Sequence, residues 1–97
     1  MRIGIIGHCE AENCEERLLA LLPSHTTVLV IQENDPLLEA VKSVAHTLRL
    51  PLQHPQGNIT QAAEEFLIFW NGEQDERNRL AASCIRQGKP TRLLPLK

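Results

Sequence analysis

The sequence predicts an α/β fold, a three-layer, Rossmann-like open parallel sheet of about five strands in the order 3-2-1-4-5 with helices on both faces. Near-continuous apolar runs, typical of strands covered on both sides, lie at 2–7, 26–31 and 65–70. Amphipathic helical segments separate these runs. The connections are short, so helical crossovers should join neighbouring parallel strands with a right-handed twist.

The strands are predicted from apolar, β-branched and aromatic content. Four segments qualify: 2–7 (RIGIIG), 26–31 (TTVLVI), 65–70 (EFLIFW) and 91–96 (TRLLPL). A weaker segment at 51–54 (PLQH) is expected to be a short edge strand, because an edge tolerates proline. A single turn of helix is expected at 59–64.

The helices are predicted from their start and stop signals. Asn13 and Glu16 form a capping box for the first helix. Asp35-Pro36 starts the second, with the aspartate as cap and the proline at the first helical position. The third runs from near Asp75 to Gly88. The core-facing residues should be Leu37, Val41, Val44 or Ala45, and Leu48 in the second helix, and Leu80, Ala81, Cys84 and Ile85 in the third.

Length and composition predict one domain over residues 1–97. Hydrophobic residues make up 42% and charged residues 23%, as in ordinary globular proteins. No apolar run approaches the ~18 residues needed to span a membrane, and the N-terminus lacks the apolar region of a signal peptide. We therefore expect a cytoplasmic protein with no membrane partner. Three cysteines in no paired spacing favour reduced thiols.

The charge is unevenly divided along the chain. All 12 acidic residues and four basic ones lie within 1–76, a net charge of −8, and the six basic residues that follow give +6. Such a split favours contact with an acidic surface or self-association as a homodimer. A solvated helix with a charged terminus is the simpler interpretation. Nucleic-acid binding is not expected, because the basic stretch contains no aromatic residue to stack on bases.

In an open α/β sheet, ligands bind beyond the carboxyl ends of the strands, where the strand order reverses. Here that position lies between the first strand and the strand at 65–70. The candidate ligand-binding residues are those of the flanking loops and strand ends: Gly7, His8, Glu10, Asn34, Asp35, Trp70, Asn71, Gly72, Glu73 and Gln74. Each of these polar residues also has a simpler role as a turn or cap residue.

The same loops lack the features of a catalytic or phosphate-binding site. The loop after the first strand has one glycine and no basic residue before Arg17, and several carboxylates near the crevice would repel an anion. No catalytic residue, cofactor or metal site is predicted, since the spacing of His8, Cys9 and Cys14 matches no strong zinc pattern. Cys14 near a helix start favours a reactive thiol, whereas the neighbouring Glu15 and Glu16 oppose one.

The chain resembles the SMF/DprA–Lonely Guy (SLOG) superfamily, and within it the small YspA-related members of bacteria and phages. The opening strand with its polar loop, and the segment from Asp35 to Leu50-Pro51 with His54-Pro55 following, are similar to that family. The most specific likeness lies in Asn58, Ala63, Phe69-Trp70-Asn71-Gly72 and Gly88-Lys89-Pro90. This resemblance implies a Rossmann-like fold, and ligands related to nucleotides.

Three phosphate-facing elements of that family are altered in this chain. His8-Cys9 replaces a serine-arginine pair, residues 32–35 (QEND) replace a glycine-rich stretch, and residues 74–77 (QDER) replace Ser-x-Gly-Thr. We therefore expect a small non-catalytic SLOG-like domain, with a degenerate phosphate loop, that acts in binding or interaction. The alternatives are a sensor of a nucleotide or nucleoside derivative and, less favoured, an N-glycoside (nucleotide phosphoribo-) hydrolase in which Glu73 supplies a carboxylate.

Overall fold

The computed structural model describes residues 1–7, 14–70 and 76–95, without the side chains at 70, 76–78, 80 and 95. The strands are β1 (Arg2–Gly7), β2 (Val28–Ile31), β3 (Leu52–Gln53), β4 (Glu65–Trp70) and β5 (Thr91–Pro95). The helices are α1 (Cys14–Leu21), α2 (Leu38–Leu48) and α3 (Glu76–Arg86), and a short 3₁₀ helix (Ile59–Gln61) precedes β4. In this part of the chain, no helix is both long and apolar enough to cross a membrane.

The strands form one parallel sheet in the order β3-β2-β1-β4-β5, which confirms the predicted fold. Strand β1 lies at the centre and pairs with both β2 and β4. Along β4, Ile3 lies opposite Glu65 and Gly7 lies opposite Phe69. The chain moves outward from β1 through β2 to β3, and then returns to the other side of β1 at β4. The strand order therefore reverses between β1 and β4, as predicted.

Each face of the sheet has its own hydrophobic cluster. Ile3 and Ile5 point to the face covered by α1 and α2, where they pack with Leu18 and Val41. Ile6 points to the opposite face, which α3 and the 3₁₀ helix cover. Both faces of β1 are therefore buried, which is why its sequence is continuously apolar rather than alternating.

Close packing on the face covered by α3 and the 3₁₀ helix explains why residue 4 is a glycine. A Cβ atom at this position would lie 2.6 Å from two ring carbons of Phe66 and 3.3 Å from Ala63. The Phe66 ring thus occupies the space that any larger residue at position 4 would need.

The predicted start of α2 is wrong by about two residues. Residues 36–37 form a turn, and the helix begins at Leu38 after the N-cap residue Leu37, which makes no side-chain cap. The Asp35 side chain does accept a backbone hydrogen bond, from Leu37 at 2.8 Å, but from this preceding turn. Asp-Pro is compatible with a turn as well as with a helix start, and here it forms the turn.

Two residues predicted to be in the core are exposed. Ile85 is 57% exposed on α3, and Leu48 is 41% exposed at the end of α2. Ile85 directly follows the fully buried Cys84, so it turns toward the flank of α3. Leu48 lies beside Leu19, in a groove between the ends of α1 and α2 rather than over the sheet.

Candidate functional site

The candidate site lies beyond the carboxyl ends of β1 and β4. Of the ten predicted residues, the structure describes Gly7, Asn34 and Asp35, together with the backbone of Trp70 at the end of β4. The remaining six, His8, Glu10, Asn71, Gly72, Glu73 and Gln74, lie outside the described residues. Gly7 and Trp70 end β1 and β4, the two neighbouring strands between which the strand order reverses.

Asp35 is the charged group that the fold places most firmly at this edge of the sheet. Its side chain comes from the turn after β2 and is 5% exposed. Oδ2 accepts a hydrogen bond from the backbone N–H of Gly7 at 2.9 Å, and Oδ1 accepts one from the N–H of Leu37 at 2.8 Å. The carboxylate therefore joins the end of β1 to the start of α2.

Gly7 is required by this close approach. A Cβ atom on Gly7 would overlap Leu37 and would lie 2.6 Å from Asp35 Oδ1. The end of β1 can meet the Asp35 turn only because position 7 has no side chain. Gly7 is thus a scaffold residue at the base of the candidate site.

Asn34 is separated from the crevice base, although it neighbours Asp35 in sequence. It is exposed, whereas Asp35 is buried. The turn that carries both residues is closed by a hydrogen bond from Asp35 N–H to the carbonyl of Gln32, at 3.1 Å. Of the two predicted residues in this loop, the structure therefore brings only Asp35 to Gly7.

Arg17 is a basic residue at this edge that the sequence analysis did not select. It is half-buried on α1, and its guanidinium carbon lies 5.2 Å from the centre of the Phe69 ring, near the carboxyl end of β4. A cation over an aromatic face at this distance is stabilised by the ring quadrupole. The helical spacing of Arg17 from the buried Cys14 and Leu18 was the signal that could have placed it on the inward side of α1.

The described cysteines are buried thiols. Cys14, the first residue of α1, is 3% exposed, and Cys84 is fully buried. Burial raises the pKa of the Cys14 thiol to about 11, an effect that the nearby Arg17 only partly offsets. Burial also raises the pKa of the Cys84 thiol. The effect of burial on the Cys14 pKa therefore outweighs the lowering that a helix start would give.

Within the described ranges, no group of three or more His, Cys, Asp or Glu side chains is arranged to hold a metal ion.

Several residues that carry the family resemblance connect parts of the scaffold. Asn58 Oδ1 accepts a hydrogen bond from Thr60 N–H at 3.0 Å and caps the 3₁₀ helix. The Lys89 ammonium donates to the carbonyls of Thr60 and Ala63, the latter at 3.0 Å. Gly88 follows α3 with a φ of +74°, a left-handed conformation that favours glycine. These residues of the family resemblance therefore help to hold together the face of the sheet that α3 and the 3₁₀ helix cover.

Comparison with known proteins gives no match to this chain among family models, curated proteins or solved structures.

Proposed function

We propose that this protein is a small, non-catalytic SLOG-like domain that acts in binding or interaction. The observation that carries the proposal is the bonding of Asp35. A general acid or base needs a carboxyl group within hydrogen-bond reach of the reacting atoms. At the crevice base, the Asp35 carboxylate is buried and instead holds two backbone N–H groups at 2.8 and 2.9 Å. Its role is to fix the scaffold on which the loops are mounted.

The enzymatic alternative is N-glycosidic hydrolysis, and it has a direct test. The protein is incubated with adenosine, cytidine, guanosine and uridine monophosphates, and the products are separated by liquid chromatography. We expect no free base above the protein-free blank. Base release that rises with protein concentration, is lost in Glu73→Gln and is retained in Glu16→Gln would overturn the proposal. Glu16 is a suitable control because it is exposed on α1.

A sensor of an anionic nucleoside derivative is the second candidate, and the position of Arg17 favours it. The guanidinium group lies at the carboxyl edge of the sheet, beside Phe69. It would supply the positive charge that the loop after β1 lacks in sequence. Its contact would be with a phosphate or carboxylate of a ligand seated between β1 and β4.

A thermal-shift screen with ADP-ribose, nucleotides and nucleosides separates this candidate from the first. A ligand at a hundredfold its Kd stabilises the folded state by about 2.7 kcal/mol. For a domain of this size, that corresponds to a rise in Tm of roughly 10 °C or more. If the protein is a sensor, at least one compound should raise the Tm in this way. The rise should be smaller in Arg17→Gln and unchanged in Lys42→Gln, since Lys42 is an exposed residue on α2. The first proposal predicts no rise with any of them.

A further inference from the structure

We propose that the free edge of β5 is a docking site for an extended acidic segment of another protein, which adds a sixth strand to the sheet. Extended peptides bind exposed sheet edges through main-chain hydrogen bonds, and their alternating side chains give specificity. The proposal rests on the proposed interaction role and names a surface and a partner class for it. It depends on the backbone, the apolar side chains and the charges around β5.

The backbone of β5 has hydrogen-bonding groups directed away from the sheet. Among the described residues, strand β5 pairs with β4 alone, and Phe66 N–H donates to the carbonyl of Pro90 at 3.0 Å. In a parallel ladder, alternate residues direct both backbone groups toward the same neighbour. Pro90, Arg92 and Leu94 therefore face β4. Thr91 and Leu93 direct their N–H and C=O groups outward, where a further strand would lie.

Exposed apolar side chains accompany this edge on the α3 side. Leu93 is 43% exposed, and it shares a face of the sheet with its buried partner Ile68. Ser83 on α3 and Gln87 just after it lie on the flank toward the 3₁₀ helix, since Gln87 Nε2 donates to Thr60 Oγ1 at 3.1 Å and to Ser83 Oγ at 3.2 Å. At 100° per residue, Ile85 lies on the opposite flank of α3, toward β5. The two exposed side chains thus both lie on the α3 side of the sheet, toward the β5 edge.

A basic side chain lies at the same edge. Arg92 is exposed on the other face of β5, and two further arginines, Arg79 and Arg86, are exposed on the outer surface of α3. None of the three forms an ion pair with another described residue. Arg92 also lines a groove of about 300 Å³ between β5 and the end of α1. Glu65 also lines this groove, and its Oε1 lies 3.1 Å from His25 Nε2. An acidic side chain on a strand paired to β5 would lie beside Arg92, whereas Glu65 is on β4, one strand further in.

Together these features specify a strand with apolar residues on its α3 side and acidic residues on its Arg92 side. A second copy of this chain fits the edge less well. Pairing β5 with the β5 of another copy would place the Arg92 side chains of both copies on the same face of the joined sheet, and like charges at short range are unfavourable. The edge strand at the opposite side, β3, is only Leu52–Gln53 and carries no acid. Nucleic acid is also disfavoured, because the two aromatic side chains that the structure describes, Phe66 and Phe69, are both buried and cannot stack on bases.

The test uses a fluorescein-labelled decapeptide of alternating valine and glutamate, with binding followed by fluorescence anisotropy at low salt. We expect saturable binding that Arg92→Glu weakens by at least about tenfold, whereas Lys42→Glu, the same reversal at an exposed site on α2, changes it by less than about twofold. Leu93→Pro removes an outward N–H without removing a bond to β4, and should also weaken binding at least about tenfold. Circular dichroism and thermal melts check that the variants are folded.

A second set of probes keeps the test independent of protein variants. N-methylation of alternate peptide bonds blocks one backbone edge of the peptide. We expect one of the two alternating methylation patterns to abolish binding and the other to preserve it. The corresponding valine–lysine peptide should not bind. Equal binding of both methylated peptides, or of a single-stranded oligonucleotide of the same charge, would show that charge alone drives association and would overturn the proposal.

Absence of any anisotropy change up to about 1 mM peptide would also overturn it. So would a dimer in sedimentation that is lost in Leu93→Pro, because a second copy would then be the occupant of the edge. These failures are distinct from failure of the proposed function. If the peptide does not bind and nucleotides are not hydrolysed, the non-catalytic proposal stands without this partner. If nucleotides are hydrolysed, that proposal fails whatever the peptide does.

Discussion

At the level of a single side chain, Asp35 connects the carboxyl edge of the sheet to the stability of the fold. Replacing it by alanine removes the acceptors for the N–H groups of Gly7 and Leu37, both of which are buried. Leaving buried donors without partners costs free energy. We predict that Asp35→Ala lowers the free energy of unfolding by about 2–4 kcal/mol, measured by urea denaturation.

The adjacent residue provides the control for this prediction. Asn34 is exposed in the same turn, so Asn34→Ala should change the unfolding free energy by no more than about 0.5 kcal/mol. A similar loss in both variants would mean that the turn as a whole, rather than the Asp35 carboxylate, joins β1 to α2.

The Cys14 thiol predicts a specific dependence of stability on pH. Its pKa is raised to about 11 from an ordinary value of 9.0, with burial as the main cause. The folded protein therefore keeps a proton that the unfolded chain loses, and the stabilisation present below about pH 9 is lost as the pH rises toward 11. Denaturation at pH 8, 9.5 and 11 should show a steeper fall for the wild type than for Cys14→Ala. Parallel curves would contradict the assignment.

At the scale of elements, Lys89 joins the end of α3 to the 3₁₀ helix before β4. Its ammonium group donates to the carbonyls of Thr60 and Ala63 and lies 5.7 Å from the centre of the Phe66 ring. The 3₁₀ helix has only three residues, so it depends on such outside partners for its terminal carbonyls. Lys89 in the Gly-Lys-Pro segment thus has a structural role.

We predict that Lys89→Met lowers the free energy of unfolding by about 1.5–3 kcal/mol, the range for hydrogen bonds made by charged groups. Methionine keeps most of the apolar length of the side chain, so the loss reports mainly on the ammonium group. Lys42→Met on α2 is the matched control. Lys42 is exposed and pairs only with the exposed Glu39 at 3.6 Å among the described residues, so its loss should be below about 0.5 kcal/mol. Equal losses in chemical denaturation would refute the bridging role.

Across the whole molecule, the sequence was sufficient for the arrangement of the sheet but not for the details of its helices. The apolar runs at β1, β2 and β4 and their short helical connections specify a parallel sheet, and the order 3-2-1-4-5 is confirmed. Helix periodicity alone could not place Ile85 and Leu48, because exposure depends on which neighbour covers each flank of a helix. An aspartate before a proline likewise suits both a helix start and the turn that forms here.

The strand ends that define the candidate site were predictable, but the contacts of its described residues were not. Topology alone indicated that the end of β1 at Gly7 and the end of β4 would lie side by side. It could not show that the Asp35 carboxylate would turn inward to Gly7, since this depends on the distance between the β1 end and the turn after β2. It also could not show that Arg17 would lie over Phe69, a contact between elements that are distant in sequence.

The central position of β1 leads to a prediction about the stability of the whole sheet. Both hydrophobic clusters meet at β1, and two strands pair with it, whereas β3 has two residues and one partner strand. Amide hydrogens exchange with solvent when local or global unfolding exposes them. Those at the centre of the core exchange only when a larger part of the structure unfolds. By hydrogen exchange followed with NMR, we expect Ile5, Leu67 and Ile68 to exchange at least about a hundredfold more slowly than Gln53. Comparable rates would mean that the sheet opens as a single unit, with no more stable centre at β1 and β4.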